Sequence, residues 1–267
     1  MKKFAPVLPA IAIVAFAAIA FAGVVVDEQQ TIDEINGSRV NRARTVMIDG
    51  DKQKSIVDKG IRTVITDLGK GTMTMLDGRR KSYVEIPFPP NGPGGAAMQT
   101  GLSPTISFKK TGGHETIIGY SCDDNSGDGT VGGNAVSMSG CFSDSAPGAK
   151  DYTNFQRVMA DKVKGTTMAN MGQIPPGVPL RLKITTTMGD PPPGTPPEQA
   201  KNLREMLDHR KFVNETNVSK ISIKSLPADS FQVPASYQRT ASMFGRMGGG
   251  APAPAPGATP APHKVPE

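Results

Sequence analysis

Between Arg39 and Ile86 the chain is cut into short segments by turn-forming residues. Asp49-Gly50, Lys59-Gly60, Gly69-Lys70-Gly71 and Asp77-Gly78 follow one another at short, even intervals. Asp-Gly between alternating segments is a hairpin signal, because glycine supplies the positive φ that tight β-turns demand. The segments between these turns are rich in β-branched residues. Thr72-Met73-Thr74-Met75 alternates strictly, which places both methionines on one face and both threonines on the other. The run is expected to fold as an antiparallel meander.

Later segments read the same way. Leu180, Leu182, Ile184 and Met188 line one face of a strand, against Arg181, Lys183, Thr185 and Thr187 on the other. Ile221 and Ile223 alternate with Lys220, Ser222 and Lys224. One apolar and one wet face suit a sheet with a single buried side. Two helices interrupt the strands. Asp151 can cap a helix to about Lys164, with Tyr152, Phe155, Val158, Met159 and Val163 on one stripe. A second starts at Thr195-Pro196-Pro197-Glu198, where proline and an early acid suit a first turn. It runs to about His209, with Leu203, Met206 and Leu207 on its apolar side. The expected fold is mainly β (α+β): a curved antiparallel sheet or half-open β-barrel, with a few helices covering its concave apolar face.

The two ends are of different material. Lys2 and Lys3 precede an apolar stretch from Phe4 to Phe21, which closes with Ala20-Phe21-Ala22 before Gly23. These are the parts of a secretory signal peptide, cleaved after residue 22. The competing reading is an uncleaved anchor, since Phe4 to Val26 is long enough to span a bilayer. Pro6 and Pro9 would weaken its first turns. No cysteine follows the apolar stretch, which argues against a lipid-anchored form. From Gly245 onward, alternating Ala-Pro and Gly favour an extended, disordered tail over residues 245–267. Residues 23–244 remain as one domain with a sizeable core. The formal charge of +6 falls to +4 once the leader's two lysines are lost. The basic residues are scattered and not interleaved with aromatics, so nucleic-acid binding has no support.

Only Cys122 and Cys141 are present. In an exported chain a lone pair suits a disulfide, with two buried free thiols as the alternative. The first of them lies within Thr116–Asn134, TIIGYSCDDNSGDGTVGGN. Asp124, Ser126, Asp128 and Gly129 match the start of a calcium loop, but the twelfth position holds Ala135 instead of a bidentate Glu. Gly127, Gly129 and Gly132 imitate a dinucleotide fingerprint, yet no helix follows and Asp123, Asp124 and Asp128 would repel a pyrophosphate. The stretch reads as a strand, a polar hairpin loop and a strand returning from about Asn134 to Phe142. No metal site or cofactor is expected. Of the histidines, His263 lies in the tail, His209 ends a helix and His114 starts a strand. No nucleophile or metal-ligand spacing accompanies them, so no catalytic residue is expected.

Three segments carry a resemblance. Thr116-Ile117-Ile118-Gly119-Tyr120-Ser121-Cys122 is similar to a T-x-I-x-G-Y-x-C motif. Pro179-Leu180-Arg181-Leu182-Lys183 looks like a "PLR-hydrophobic-K" strand. Asp229 to Tyr237, DSFQVPASY, resembles a closing "LFEVPAGY" element. In that order they resemble the exported bacterial family called domain of unknown function 4412, over roughly Ile35 to Arg239. The resemblance implies a fold akin to the periplasmic lipoprotein carriers and no enzyme activity. The chain lacks the tryptophan often found on a central strand of that family, and it adds the Pro-rich helix around Pro191–His209.

Two function classes follow. One is an exported, periplasmic or secreted, binding protein that carries a lipid or other apolar ligand. Its 13 methionines would make such a cavity adaptable. Met73 and Met75 share a strand face, and Phe155 and Met159 share a helix face, so these four are the expected ligand-binding residues. The other is a structural or interaction protein of the envelope with a filled core and no ligand.

Overall fold

The computed structural model describes residues 22–33, 37–89, 105–131, 134–163, 174–189, 195–207, 210–227 and 229–240. The leader and the Ala-Pro tail therefore lie outside the described residues.

The meander forms as its turns dictate. After β1 (Ala22–Asp33) come β2 (Arg39–Asp49), β3 (Lys52–Val57), β4 (Arg62–Asp67), β5 (Thr72–Asp77) and β6 (Ser82–Pro87). Each pairs antiparallel with the next. Every break from β2 to β6 falls on one of the turn sequences, and Gly50 takes φ +58°, which a side chain would resist. Then follow β7 (Thr105–Ile117), β8 (Tyr120–Val131), β9 (Asn134–Ser143), helix α1 (Ala149–Val163), β10 (Val178–Thr187), helix α2 (Pro197–Leu207), β11 (Lys211–Ser225) and the short β12 (Gln238–Arg239). Helix α1 starts at Ala149, so Asp151, expected to cap it, lies inside its first turn; its end and both limits of α2 fall within two residues of expectation. The side chains of Leu203, Met206 and Leu207 lie outside the described residues.

The strands make one open twelve-stranded sheet in the order β12-β6-β5-β4-β3-β2-β1-β11-β10-β9-β8-β7. All pairs are antiparallel except β12 with β6. The first strand in sequence thus lies at the centre, between β2 and β11. Val24 and Val26, the end of the apolar stretch, are fully buried there. They belong to the folded domain and not to a span. No helix among the described residues is long and apolar enough to cross a membrane.

The main core lies where α1 packs on β1, β2 and β10. Val24, Val26, Val46, Ile48, Leu180, Val218, Tyr152 and Phe155 meet in it. Cross-strand register puts Val24 opposite Ile48 and Val26 opposite Val46, so all four valine and isoleucine side chains share the α1 face. A second, smaller cluster is separate from it: Ile106, Val136 and Met138, with Phe108, Leu182 and Ile184 against them. A bulge between Pro179 and Arg181 divides β10 between the two, with Leu180 in the first cluster and Leu182 and Ile184 in the second.

Three expectations are corrected. The sheet is not buried on one side only. Thr63, Ile65, Thr74 and Leu76 on the opposite face are all buried, while Met73 and Met75 are only half-buried. The closing segment causes this. Lys54 lies in register with Ile65, and its Nζ donates to the Ser230 carbonyl at 2.7 Å, which brings residues 229–240 across that face. Ile223, expected on the apolar side, is 46% exposed. The Asp/Ser/Gly stretch after Cys122 is not a loop. β8 continues to Val131 and pairs along both edges, with β7 and β9. The return strand begins at Asn134, as expected.

Candidate functional site

Cys122 and Cys141 are joined in a disulfide with Cα atoms 5.3 Å apart. Both are buried in the main cluster. The bond ties β8 to β9 at the open end of their hairpin. Over it passes a charged bridge on the wet face. Arg181 Nη1 and Nη2 donate to Glu115 Oε2 and Oε1 at 2.6 and 2.9 Å, and Nη2 also to Asp124 Oδ1 at 3.1 Å. The Glu115 carboxylate, bound to both Arg181 nitrogens, holds the guanidinium pKa above its ordinary value. Two of the three resembling segments, Thr116–Cys122 and Pro179–Lys183, therefore meet at the disulfide. The third, Asp229–Tyr237, lies at the other end of the sheet.

The calcium pattern is spread along a strand. Asp124, Ser126 and Asp128 sit at alternate positions, roughly 6.7 Å apart along an extended chain, and so cannot converge on one ion. Asp124 is held by Arg181, and neighbouring Asp123 by Lys110 Nζ at 2.8 Å and His114 Nδ1 at 2.6 Å. Gly127 and Gly129 lie on the α1 face instead, between Phe108 and Ile106 on β7 and Met138 and Val136 on β9. A Cβ on Gly127 would stand 3.0 Å from Phe108 Cδ1. Glycine here makes room for the apolar side chains of the second cluster and opens no phosphate cradle. No group of three His, Cys, Asp or Glu side chains among the described residues could hold a metal ion.

Of the four expected ligand-binding residues, Phe155 is 1% exposed in the main cluster, and Met73 and Met159 pack against that cluster from the sheet and the helix. Met75 is half-buried on the same face as Met73, opposite Val64 and Val84. Phe155, Met73 and Met159 thus belong to or border one large cluster, in which α1 packs on β1, β2 and β10, and Met75 lies on the strand beside Met73.

A polar strip on the same face was not anticipated. Along this face of β1 the buried positions run Val24, Val26, Glu28, Gln30. Glu28 is 3% exposed, and its Oε2 lies 3.3 Å from Arg44 Nη1 without hydrogen-bond geometry to any group. Burial pushes the Glu28 carboxyl above its ordinary value, against the pull of Arg44. Burial likewise pushes the Tyr152 hydroxyl up, with the nearby Glu28 charge adding to it. Gln30 Nε2 reaches Thr216 Oγ1 at 3.4 Å across the β1–β11 pair. Two residues further, Asn214 Oδ1 is buried without a partner. The period of two assigns Glu28 and Gln30 to the face that Val24 and Val26 begin, but not what covers that face.

No protein-family model matches the chain, and no curated protein sequence matches it. The likeness to domain of unknown function 4412 is thus carried by the three motifs alone. Among solved structures, the chain is similar to PNGF-II at 9% identity and a TM-score of 0.37, over 82% of this chain and 31% of that one. The chain thus spans under a third of that protein. A DUF1329 family protein from Desulfovibrio piger aligns at 8% identity and a TM-score of 0.32, over 81% of this chain and 91% of that one. A LolA superfamily protein, NE2245 from Nitrosomonas europaea, aligns at 10% identity and a TM-score of 0.27, over 79% and 89%. Likeness at this level assigns no role to any residue.

Proposed function

We propose that this is an exported, non-enzymatic binding protein that holds an acyl chain or other apolar ligand against the α1 face of its sheet. One observation carries the reading. The second apolar cluster, on β7, β9 and the far half of β10, shares the sheet face of Val24 and Val26 by register but is separate from the main cluster that holds Tyr152 and Phe155 of α1. Gly127 and Gly129 keep the intervening strand bare, Ile106, Val136 and Met138 are already buried, and the half-buried Phe108, Leu182 and Ile184 around them are the apolar side chains against which a chain would lie. The buried disulfide suits an oxidising compartment, as the leader-like N-terminus does. Native mass spectrometry of protein purified from its own host tests the reading. A retained lipid mass is expected. A bare polypeptide mass, together with no binding of a fluorescent fatty-acid probe, would overturn it.

The near-complete burial of Phe155 favours a second reading around α1. There the core is filled by the protein's own side chains, as in an envelope structural or interaction protein. The same two measurements separate the readings.

A further inference from the structure

The polar strip carries an unmet hydrogen-bonding cost in the folded chain. A buried polar atom without a hydrogen bond costs roughly 1–3 kcal/mol, and a buried charge more. Two such atoms survive on one sheet face, Glu28 Oε2 and Asn214 Oδ1. Both are acceptors. Between them Gln30 and Thr216 bond to each other. The strip is bounded on both sides by apolar surface. Glu28 lies beside Val26, opposite Val218 and near Tyr152, all in or against the main cluster. Thr216 faces Leu182 and Asn214 faces Ile184 across β11–β10, and these two isoleucine and leucine side chains belong to the second cluster.

We infer that Glu28, Gln30, Thr216 and Asn214 form a headgroup subsite for an amphiphile whose uncharged polar end donates hydrogen bonds, such as a hydroxyl or an amide. The inference rests on the apolar-ligand reading and names the class of ligand. The open valences are acceptors, so the complementary group is a donor. Arg44 already stands against Glu28 Oε2, which balances the carboxylate's charge and removes the call for a cationic head. A free carboxylate head offers neither open acceptor a hydrogen and would bind more weakly. The chain of the same ligand would then lie on the Met138 cluster next to Asn214.

Sites that hydrogen-bond a ligand group discriminate strongly against ligands that cannot supply it. The test is displacement of a fluorescent probe by a monoacylglycerol and by the fatty acid of equal chain length. The wild type is expected to prefer the monoacylglycerol by about tenfold or more. Asn214→Leu and Glu28→Gln should each narrow that preference, by weakening displacement by the monoacylglycerol relative to the fatty acid, with melting recorded to confirm folding. Equal displacement by the two ligands overturns the headgroup subsite while apolar binding stands. A preference that survives in both folded variants overturns it too. Failure of the probe to bind at all overturns the apolar-ligand reading and the subsite with it.

Discussion

Glu28 is the residue whose environment departs furthest from what its chemistry favours. Its carboxyl sits among valines, and burial holds its pKa above the ordinary 4.5. A raised carboxyl pKa means that the folded state binds the proton more tightly than the unfolded one. The stability this confers is complete below pH 4.5 and is lost as pH rises through the higher folded value. Denaturant titrations from pH 4 to 8 should therefore show stability falling with pH more steeply in the wild type than in Glu28→Gln. Equal slopes would mean that Glu28 is ionised at no cost. Phe155 has the opposite character. It is 1% exposed in the main cluster, so Phe155→Ala should lose about 3–5 kcal/mol in urea unfolding. A loss of less than 1 kcal/mol would instead point to a cavity that ligand fills. The helical stripe of Tyr152, Phe155 and Val163 was plain in the sequence, because period 3.6 is a local property. Glu28 was not, because its burial depends on Tyr152 and Val218, which come from distant parts of the chain.

At the scale of elements, β8 shows where composition misleads. Asp, Asn, Ser and Gly each disfavour strands, and together they read as a loop. The stretch is a strand because β7 and β9 supply ladder partners on both edges and its glycines yield space to neighbouring side chains. Gly127→Ala should accordingly cost about 1–3 kcal/mol, since its Cβ would crowd Phe108, Ile106 and the Ser107 carbonyl. The same change at Gly119, where nothing lies within 4 Å but φ is +86°, strains the turn by a different route. The disulfide closes the β8–β9 hairpin over a sequence separation of 19. Reduction should lower stability by about 3 kcal/mol, as loop-closure entropy returns to the unfolded chain. Melting with and without reductant measures this, and an unchanged midpoint would show that the bond constrains nothing.

The whole molecule depends on contacts that join its two ends. β1 pairs with β11 through most of its length, so the first and last long strands form the centre of the sheet. The segment beyond β11 then returns across the β3–β6 region and ends as β12. Removing residues 229–240 should lose about 3–5 kcal/mol by re-exposing Ile65 and Leu76, whereas removing only 245–267 should leave melting unchanged. Equal effects would mean that the closing segment contributes no cover. The sequence by itself determined the β class, the meander and its turns, the approximate limits of both helices and the cysteine pairing that an oxidising compartment favours. Each of these rests on spacing within a few residues or on a pair with no rival partner. The tertiary structure alone decided that β1 is central, that the threonine face of β5 is buried, that the acidic glycine-rich stretch is a strand and that Glu28 lies in the core. Those outcomes depend on which distant segment covers which face, and strand alternation assigns residues to faces without saying what will cover them.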